Sequence, residues 1–224
     1  MVLNADEKVA KGQFKKADLI SNRKDEIHCE EYIEGKDIEK YRIKRVRYLE
    51  YGTKRCPGEV SRPTFQELYN RPKILTNKIG ELMAICDLNH ILCDQTNRIC
   101  IRWIDLKGVK NKSIAGSIKK YSTMERKEME ALSEKVDIFY LLGVLNSRRA
   151  NELLDNIRGI GNIDVNPEYI RNIPIPLAPK EIQEQIANLA KLILATKQAN
   201  PQADTSAEET EIDELVNQLY NNKV

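Results

Sequence analysis

The chain has 224 residues, of which 31% are charged and only 6% are aromatic. This length allows one sizeable α/β or α+β core with appendages. No apolar run approaches the roughly 18 residues that a membrane helix needs, and the N-terminus lacks an apolar signal region. We therefore expect a cytoplasmic protein with no membrane partner.

Residues 1–30 are polar and weakly patterned, and we expect them to form an irregular N-terminal arm. The stretch "RVRYLEYG" (45–52) alternates long basic and apolar side chains, which predicts a strand that ends at Gly52. A short helix is predicted between Pro63 and Pro72, because proline suits a first helical turn and ends a helix.

Three β-rich runs follow, separated by short polar turns: "KILTNKI" (73–79), "ELMAICDL" (81–88) and "RICIRWI" (98–104). They predict a curled, mostly antiparallel sheet. Residues 105–122 contain two glycines and show little periodicity, which predicts a long basic loop. Residues 123–135 are charged and favour a helix.

The C-terminal part of the chain is helical by its pattern. Residues 137–158 carry apolar side chains at helical spacing, with an interruption predicted at Asn146 and Ser147. Amphipathic helices are predicted from "PKEIQEQIANLAKLILATKQ" (179–198) and over residues 208–221, joined by a linker. The expected fold is α+β, with a recognition domain over residues 31–180 and a helical segment over residues 181–224.

Basic residues are concentrated in two segments, although the chain as a whole carries only +2. Residues 40–80 hold eleven Lys and Arg against three Asp and Glu, and residues 98–120 hold seven against one. Residues 181–224 reverse the sign, with eight acidic residues against three basic ones. Clustered cations favour a polyanion as partner, because neutralising phosphates releases counterions.

The five cysteines include no Cys-x-x-Cys pair, so neither a disulfide framework nor a common zinc spacing is indicated. Cys86, His90, Cys93 and Cys100 could in principle supply four zinc ligands. The cysteines lie in strand-like apolar stretches, however, where a reduced cysteine is commonly a small core residue. We expect no metal site.

The stretch "IDVNPEYIRNIPIP" (163–176) contains Asn-Pro-Glu-Tyr, one residue away from the Asn-Pro-Pro-Tyr loop with which DNA methyltransferases hold a flipped adenine. Glu168 replaces the second proline, and no Gly-rich strand-to-helix loop for a cofactor precedes the motif. We therefore interpret it as a turn, in which Asn166 caps a short helix, Pro167 opens it and the Tyr169 ring packs beneath.

Six motifs in order resemble the TaqI-like C-terminal specificity domain of adenine-N6 DNA methyltransferases from restriction-modification systems. They are "GKDIEKY" (35–41), "YLEYG" (48–52), "RPTFQELYNRPKILTNKIG" (62–80), "YLLGVLNS" (140–147), "PEYIRNIPIP" (167–176) and "EIDELVNQLY" (211–220). The stretch "IPIPLAPKEIQEQI" (173–186) is also similar to the end of target-recognition domains in type I specificity subunits. The resemblance covers about residues 30–222.

The resemblance implies a DNA-recognition module that binds the duplex with a basic face while a separate methyltransferase domain modifies the adenine. The partners it implies are double-stranded DNA and that catalytic domain, in the same chain or another, with a homodimer as a further possibility. S-adenosylmethionine (AdoMet) is expected only in the catalytic domain, so this chain is expected to hold no cofactor and no catalytic residue.

The resemblance places Lys36 and Asp37 at a turn, and Lys73, Asn77 and Lys78 on a strand and turn that face DNA. With the two basic segments, the expected DNA-binding residues are Lys36, Arg42, Lys44, Arg45, Arg47, Lys54, Arg55, Arg62, Lys73, Asn77, Lys78, Arg102, Lys107, Lys110, Lys112, Lys119 and Lys120.

Two alternatives belong to other classes of protein. An autonomous DNA-modifying enzyme would need a cofactor loop or a metal site, and the only nuclease-like set, Asp25, Glu34 and Lys36, is interrupted by Gly35 at an expected turn. A protein-interaction adaptor would use the two C-terminal helices. Those helices would be docking devices if their apolar stripes stay uncovered, or part of the core if they pack back on the domain.

Overall fold

The computed structural model describes residues 2–4, 16–55 and 66–221. Arg62, Cys56 and the predicted start of the helix after Pro63 lie outside these ranges. Only a 3-10 turn at Gln66–Leu68 is described from that expected helix.

The strands are short and, in chain order, are β1 (Val2–Asn4), β2 (Ile20–Ser21), β3 (His28–Ile33), β4 (Ile38–Glu39), β5 (Arg42–Ile43), β6 (Arg47–Glu50), β7 (Lys73–Asn77), β8 (Ala84–Asp87), β9 (Leu92–Cys93) and β10 (Asn97–Cys100). The α-helices are α1 (Lys112–Tyr121), α2 (Arg126–Glu134), α3 (Ile138–Asn146), α4 (Arg148–Arg158), α5 (Pro167–Arg171), α6 (Lys180–Ala199) and α7 (Ser206–Asn221).

The strands form two four-stranded sheets and one small ribbon. The first sheet has the order β1-β10-β7-β8 and is antiparallel throughout. The second has the order β2-β6-β3-β9, in which only the β3–β9 pair is parallel. The ribbon pairs β4 with β5. The α+β class and the mostly antiparallel sheet are thus confirmed.

Both faces of the first sheet are covered. Ile74 and Ala84 pack against the helices, in a cluster that includes Leu142 and Ile186. Their neighbours in sequence, Leu75 and Ile85, belong to a second cluster, which also contains residues of the second sheet. Successive strand residues point to opposite faces, so a central strand covered on both sides is buried at every position, as β7 is.

The boundary between α3 and α4 follows the sequence pattern closely. The Asp137 carboxylate accepts hydrogen bonds from the backbone N–H groups of Phe139 and Tyr140 and caps α3. Ser147 ends this helix and caps the next, because its hydroxyl accepts from the Ala150 N–H. The predicted interruption at Asn146 and Ser147 is confirmed.

Residues 105–122 are not the long loop that their composition predicted. Most of them form α1, where the Asn111 side chain caps the helix by accepting from the Ser113 N–H at 2.8 Å. Ile114 is buried and Ile118 packs on the same cluster, at the i, i+4 spacing of one helical face. The sequence did not predict this helix because only two apolar residues, separated by a glycine and followed by lysines, repeat at helical spacing.

The described part of residues 1–30 also differs from the expected irregular arm. β1 pairs with β10 and β2 pairs with β6, so both strands lie at sheet edges. Strands of two or three residues are too short for an alternating pattern. Backbone hydrogen bonds to a neighbouring strand define them.

The two C-terminal helices pack back on the domain. Ile186 and Ile193 of α6 and Ile212 and Val216 of α7 are buried in the same core as α3. A Cβ at Gly143 of α3 would lie 2.5 Å from the Ile186 Cγ2, so this glycine permits the close contact between α3 and α6. Of the two alternatives for these helices, packing back on the domain agrees with the structure, because the core buries residues of both apolar stripes.

Within the described residues, no helix is both long and apolar enough to cross a membrane.

Candidate nucleic-acid interface

Three of the expected DNA-binding lysines, Lys36, Lys44 and Lys78, line one cleft. The cleft has a volume of about 460 Å³ and lies between the turn after β3, the β7–β8 turn and Thr96. We call it the lysine cleft. Lys36 and Lys44 are exposed, and Lys78 is half-buried. The three lysines come from separate segments, so only the fold brings them together.

A close backbone contact shapes the floor of the lysine cleft. The Gly35 N–H donates to the Thr96 hydroxyl at 2.8 Å. A Cβ at position 35 would lie 2.2 Å from the Thr96 carbonyl oxygen, which no side chain can tolerate. The glycine of "GKDIEKY" is therefore required by this contact.

A buried ionic network holds the turn that carries Lys36. The Arg47 Nη2 lies 2.9 Å from a Glu34 carboxylate oxygen and 2.5 Å from Asp37 Oδ2, and Asp37 also accepts from the Glu34 N–H. All three residues are buried. Glu34 and Asp37 have the spacing of a capping box, which is a pattern visible in the sequence. Arg47 therefore stabilises the turn and is not on the surface.

Asn77 is also a structural residue. Its amide nitrogen donates to the Ile79 and Glu81 carbonyls, each at 2.7 Å, and its Oδ1 accepts from the Met83 N–H at 3.0 Å. The buried side chain closes the β7–β8 turn, which presents Lys78 to the cleft. Its hydrogen-bonding atoms are occupied, which leaves none for a base.

Lys73 is placed differently from the DNA-facing position that was expected. It is fully buried, its Nζ lies 2.5 Å from Asp87 Oδ2, and it donates to the Tyr69 carbonyl at 2.8 Å. A side chain with no exposed surface cannot contact a phosphate. Lys73 is therefore a core residue and not a DNA contact. The cause is the position of β7 in the middle of a sheet that is covered on both faces.

The other expected cations around β4 to β6 lie near the surface and mostly have acidic neighbours. Arg42 bonds Glu39 and the Pro201 carbonyl, and Arg55 pairs with the buried Glu50. Lys44 and Arg45 make long ion pairs of 3.7 Å to Glu39 and 3.5 Å to Asp37. Lys54 is exposed.

The second basic segment forms a separate group of cations. The side chains of Lys107, Lys110, Lys112, Lys119 and Lys120 are exposed on α1 and the loop before it. Arg102 instead bonds Asp105 and the Val136 carbonyl, which makes it a structural residue.

The two groups lie at opposite ends of β10. Thr96 borders the lysine cleft, whereas Arg102 lines a second, largely apolar cavity together with Tyr121 of α1. Thr96 and Arg102 are six positions apart, a separation that corresponds to ~20 Å in an extended chain.

The Asn-Pro-Glu-Tyr stretch is a helix-capping turn. The Asn166 Oδ1 accepts from the Glu168 N–H at 3.0 Å, and Pro167 opens α5. The Tyr169 ring is partly buried against the core, and its hydroxyl accepts a 3.1 Å bond from the Asn162 amide. The interpretation as a capped turn is confirmed.

The residues that the sequence offered for a zinc site or a nuclease site are either buried or engaged in other contacts. Burial raises the pKa of the Cys86 thiol to about 12, Cys93 and Cys100 are buried, and the His90 ring contacts the Tyr69 carbonyl. In the parts of the chain that the structure describes, no three His, Cys, Asp or Glu side chains are grouped as metal ligands. Asp25 pairs with His28, whereas Glu34 pairs with Arg47.

Residues 30–118 match the family model of the TaqI-like C-terminal specificity domain. The match confirms the resemblance over this segment and supports a DNA-recognition specificity domain of methyltransferases in restriction-modification systems. All three lysines of the cleft lie within the matched residues. A comparison with curated proteins found no match to the chain.

Proposed function

We propose that this chain is the sequence-recognition domain of a type II restriction-modification adenine-N6 DNA methyltransferase and that it binds duplex DNA through its exposed lysines. The observation that carries the proposal is the lysine cleft, which brings three cations together inside the segment that matches a specificity domain. Phosphates attract such clusters because their neutralisation releases counterions.

The fold supports this role by holding the cleft in place while leaving its cations available. Glu34 and Asp37 both pair with the buried Arg47, and Lys36 and Arg45 each pair with one of these two carboxylates. Lys36 pairs with Glu34 at 2.6 Å, but 65% of its side chain is exposed. The Glu34 carboxylate is only 10% exposed, and it keeps its 2.9 Å contact with Arg47 when Lys36 turns to a phosphate.

In this proposal the AdoMet site and the pocket for the flipped adenine belong to a separate catalytic domain, in the same chain or in another. The recognition domain fixes where that catalytic domain meets the duplex. The helices α6 and α7 pack into the same core as α3. The burial of their apolar stripes also removes the main support for an adaptor that docks through these helices.

The proposal is tested with two triple variants. Lys36→Ala/Lys44→Ala/Lys78→Ala should flatten the plot of log Kobs against log salt by about 2–3 units, because each lost phosphate contact removes ~0.9 of slope. The readout is the affinity for a labelled mixed-sequence duplex at several salt concentrations.

Lys135→Ala/Lys180→Ala/Lys191→Ala is the matched control, because these three lysines are exposed and none of them lines the cleft. It should leave the slope unchanged. If both triple variants have the slope of the unmodified chain, the lysine cleft does not bind DNA. Equal thermal unfolding curves would show that both variants are folded.

A further inference from the structure

Three isoleucines lie exposed at one tip of the molecule. Ile79 and Ile163 expose 53% and 58% of their surface, and Ile160 is fully exposed. Most isoleucines of the described chain are instead buried in the two core clusters. Exposed apolar side chains gathered at one place indicate a contact surface more strongly than isolated ones do. We call Ile79, Ile160 and Ile163 the isoleucine tip.

Backbone hydrogen bonds join the two segments of the tip. The Gly80 N–H donates to the Ile163 carbonyl at 2.8 Å, and the Val165 N–H donates to the Lys78 carbonyl at 2.7 Å. Ile79 and Asp164 are opposite each other in this short antiparallel pairing. The β7–β8 turn and the segment between α4 and α5 therefore form one ribbon.

The tip is braced and narrow. The Arg158 guanidinium donates to the Gly80 carbonyl at 2.8 Å, and Asn162 Oδ1 accepts from the Asp164 N–H at 2.9 Å. Gly80, Gly159 and Gly161 have positive φ angles, and no heavy atom lies within 4 Å of the position that a Cβ would take at any of them. The ribbon is thus held at its base, and the exposed Asp164 side chain lies opposite Ile79.

The isoleucine tip borders the lysine cleft directly, because Ile79 lines the cleft with Lys36, Lys44 and Lys78. A partner seated there meets cations and an apolar edge side by side. A nucleic-acid duplex has this arrangement, with phosphates outside and stacked bases between them. Proteins that deform DNA insert apolar side chains, isoleucine among them, between base steps in the same way.

We propose that the isoleucine tip is a wedge that contacts a base step and partly unstacks it while the lysines of the cleft hold the flanking phosphates. This inference rests on the proposed function, since it needs a duplex in the lysine cleft. Its consequence is that the chain reads the deformability of its site in addition to any base edges, because the cost of unstacking depends on the step.

The test compares two forms of one mixed-sequence duplex, intact and with a single nucleotide missing from the centre of one strand. The gap removes part of the unstacking cost in advance. The full chain should therefore bind the gapped duplex about tenfold more tightly than the intact one, which corresponds to ~1.4 kcal/mol.

The variant Ile79→Ser/Ile160→Ser/Ile163→Ser should bind both duplexes equally while keeping the salt dependence of the unmodified chain. Leu132→Ser/Leu177→Ser/Leu192→Ser is the matched control, because these leucines are 40–50% exposed elsewhere on the surface. It should keep the tenfold preference. Ile160→Ser alone removes a side chain that is wholly in solvent, so it should fold normally and reduce the preference.

Equal affinity of the unmodified chain for the two duplexes would overturn the wedge, and so would a preference that survives in the triple isoleucine variant. Either result would leave salt-dependent DNA binding, and hence the proposed function, intact. Absence of salt-dependent binding to both duplexes would instead refute the proposed function and the wedge with it.

Discussion

Lys73→Ala should lower the free energy of unfolding by about 3–5 kcal/mol, because it leaves the Asp87 carboxylate as an uncompensated buried charge. The two side chains are 0% and 1% exposed, and their charged atoms lie 2.5 Å apart. Asp87 also accepts the backbone N–H groups of Asn89 and Ile91, so the pair holds the turn after β8. Urea denaturation at neutral pH measures the loss.

A double variant separates the charge from the packing in this prediction. Lys73→Met/Asp87→Asn removes both charges and keeps an acceptor for one of the two backbone N–H groups, so it should recover part of the loss. Lys54→Ala, at an exposed position, should change stability little. A loss under about 1 kcal/mol for Lys73→Ala would mean that Lys73 is not buried against Asp87.

Deleting residues 200–224 should lower the free energy of unfolding by about 3–6 kcal/mol. The deletion removes Ile212 and Val216, which are 1% and 0% exposed, and each buried aliphatic side chain contributes ~1.5–3 kcal/mol. It also uncovers the surfaces of α3, α4 and α6 against which α7 packs. Thermal unfolding and light scattering would detect the lower stability and the resulting self-association.

Glu211→Ala/Glu214→Ala is the control for the truncation, since both residues are exposed on the same helix. It should leave the unfolding temperature nearly unchanged. A truncated chain that unfolds at the same temperature as the full chain would show that α7 is a separate docking element, as the alternative from the sequence proposes.

The sequence was most informative where a pattern continued over several residues. The runs at residues 73–79, 81–88 and 98–104 became β7, β8 and β10, and the Asn146–Ser147 interruption became a shared helix cap. The pattern failed at α1, whose apolar face has only two strong positions, and at β1 and β2, which are too short to alternate.

Charge alone could not separate the residues of the interface from those of the core. Lys36 and Lys73 are both lysines in motifs of the resemblance, yet one is largely exposed and the other is fully buried. Arg47 and Asn77 likewise turned inward to stabilise the turns beside the lysine cleft. Their roles depend on acidic and backbone partners that the conformation of the two turns brings close to them, and the composition of the chain does not reveal these contacts.

The salt dependence of DNA binding by the unmodified chain tests the central claim most directly. The chain is titrated into a labelled mixed-sequence duplex at low and at physiological salt. Three phosphate contacts at the lysine cleft alone predict a slope of log Kobs against log salt of about −2.7, and contacts from the lysines of α1 would make it steeper. No binding at low salt, or an affinity that is the same at both salt concentrations, would contradict a DNA-recognition function.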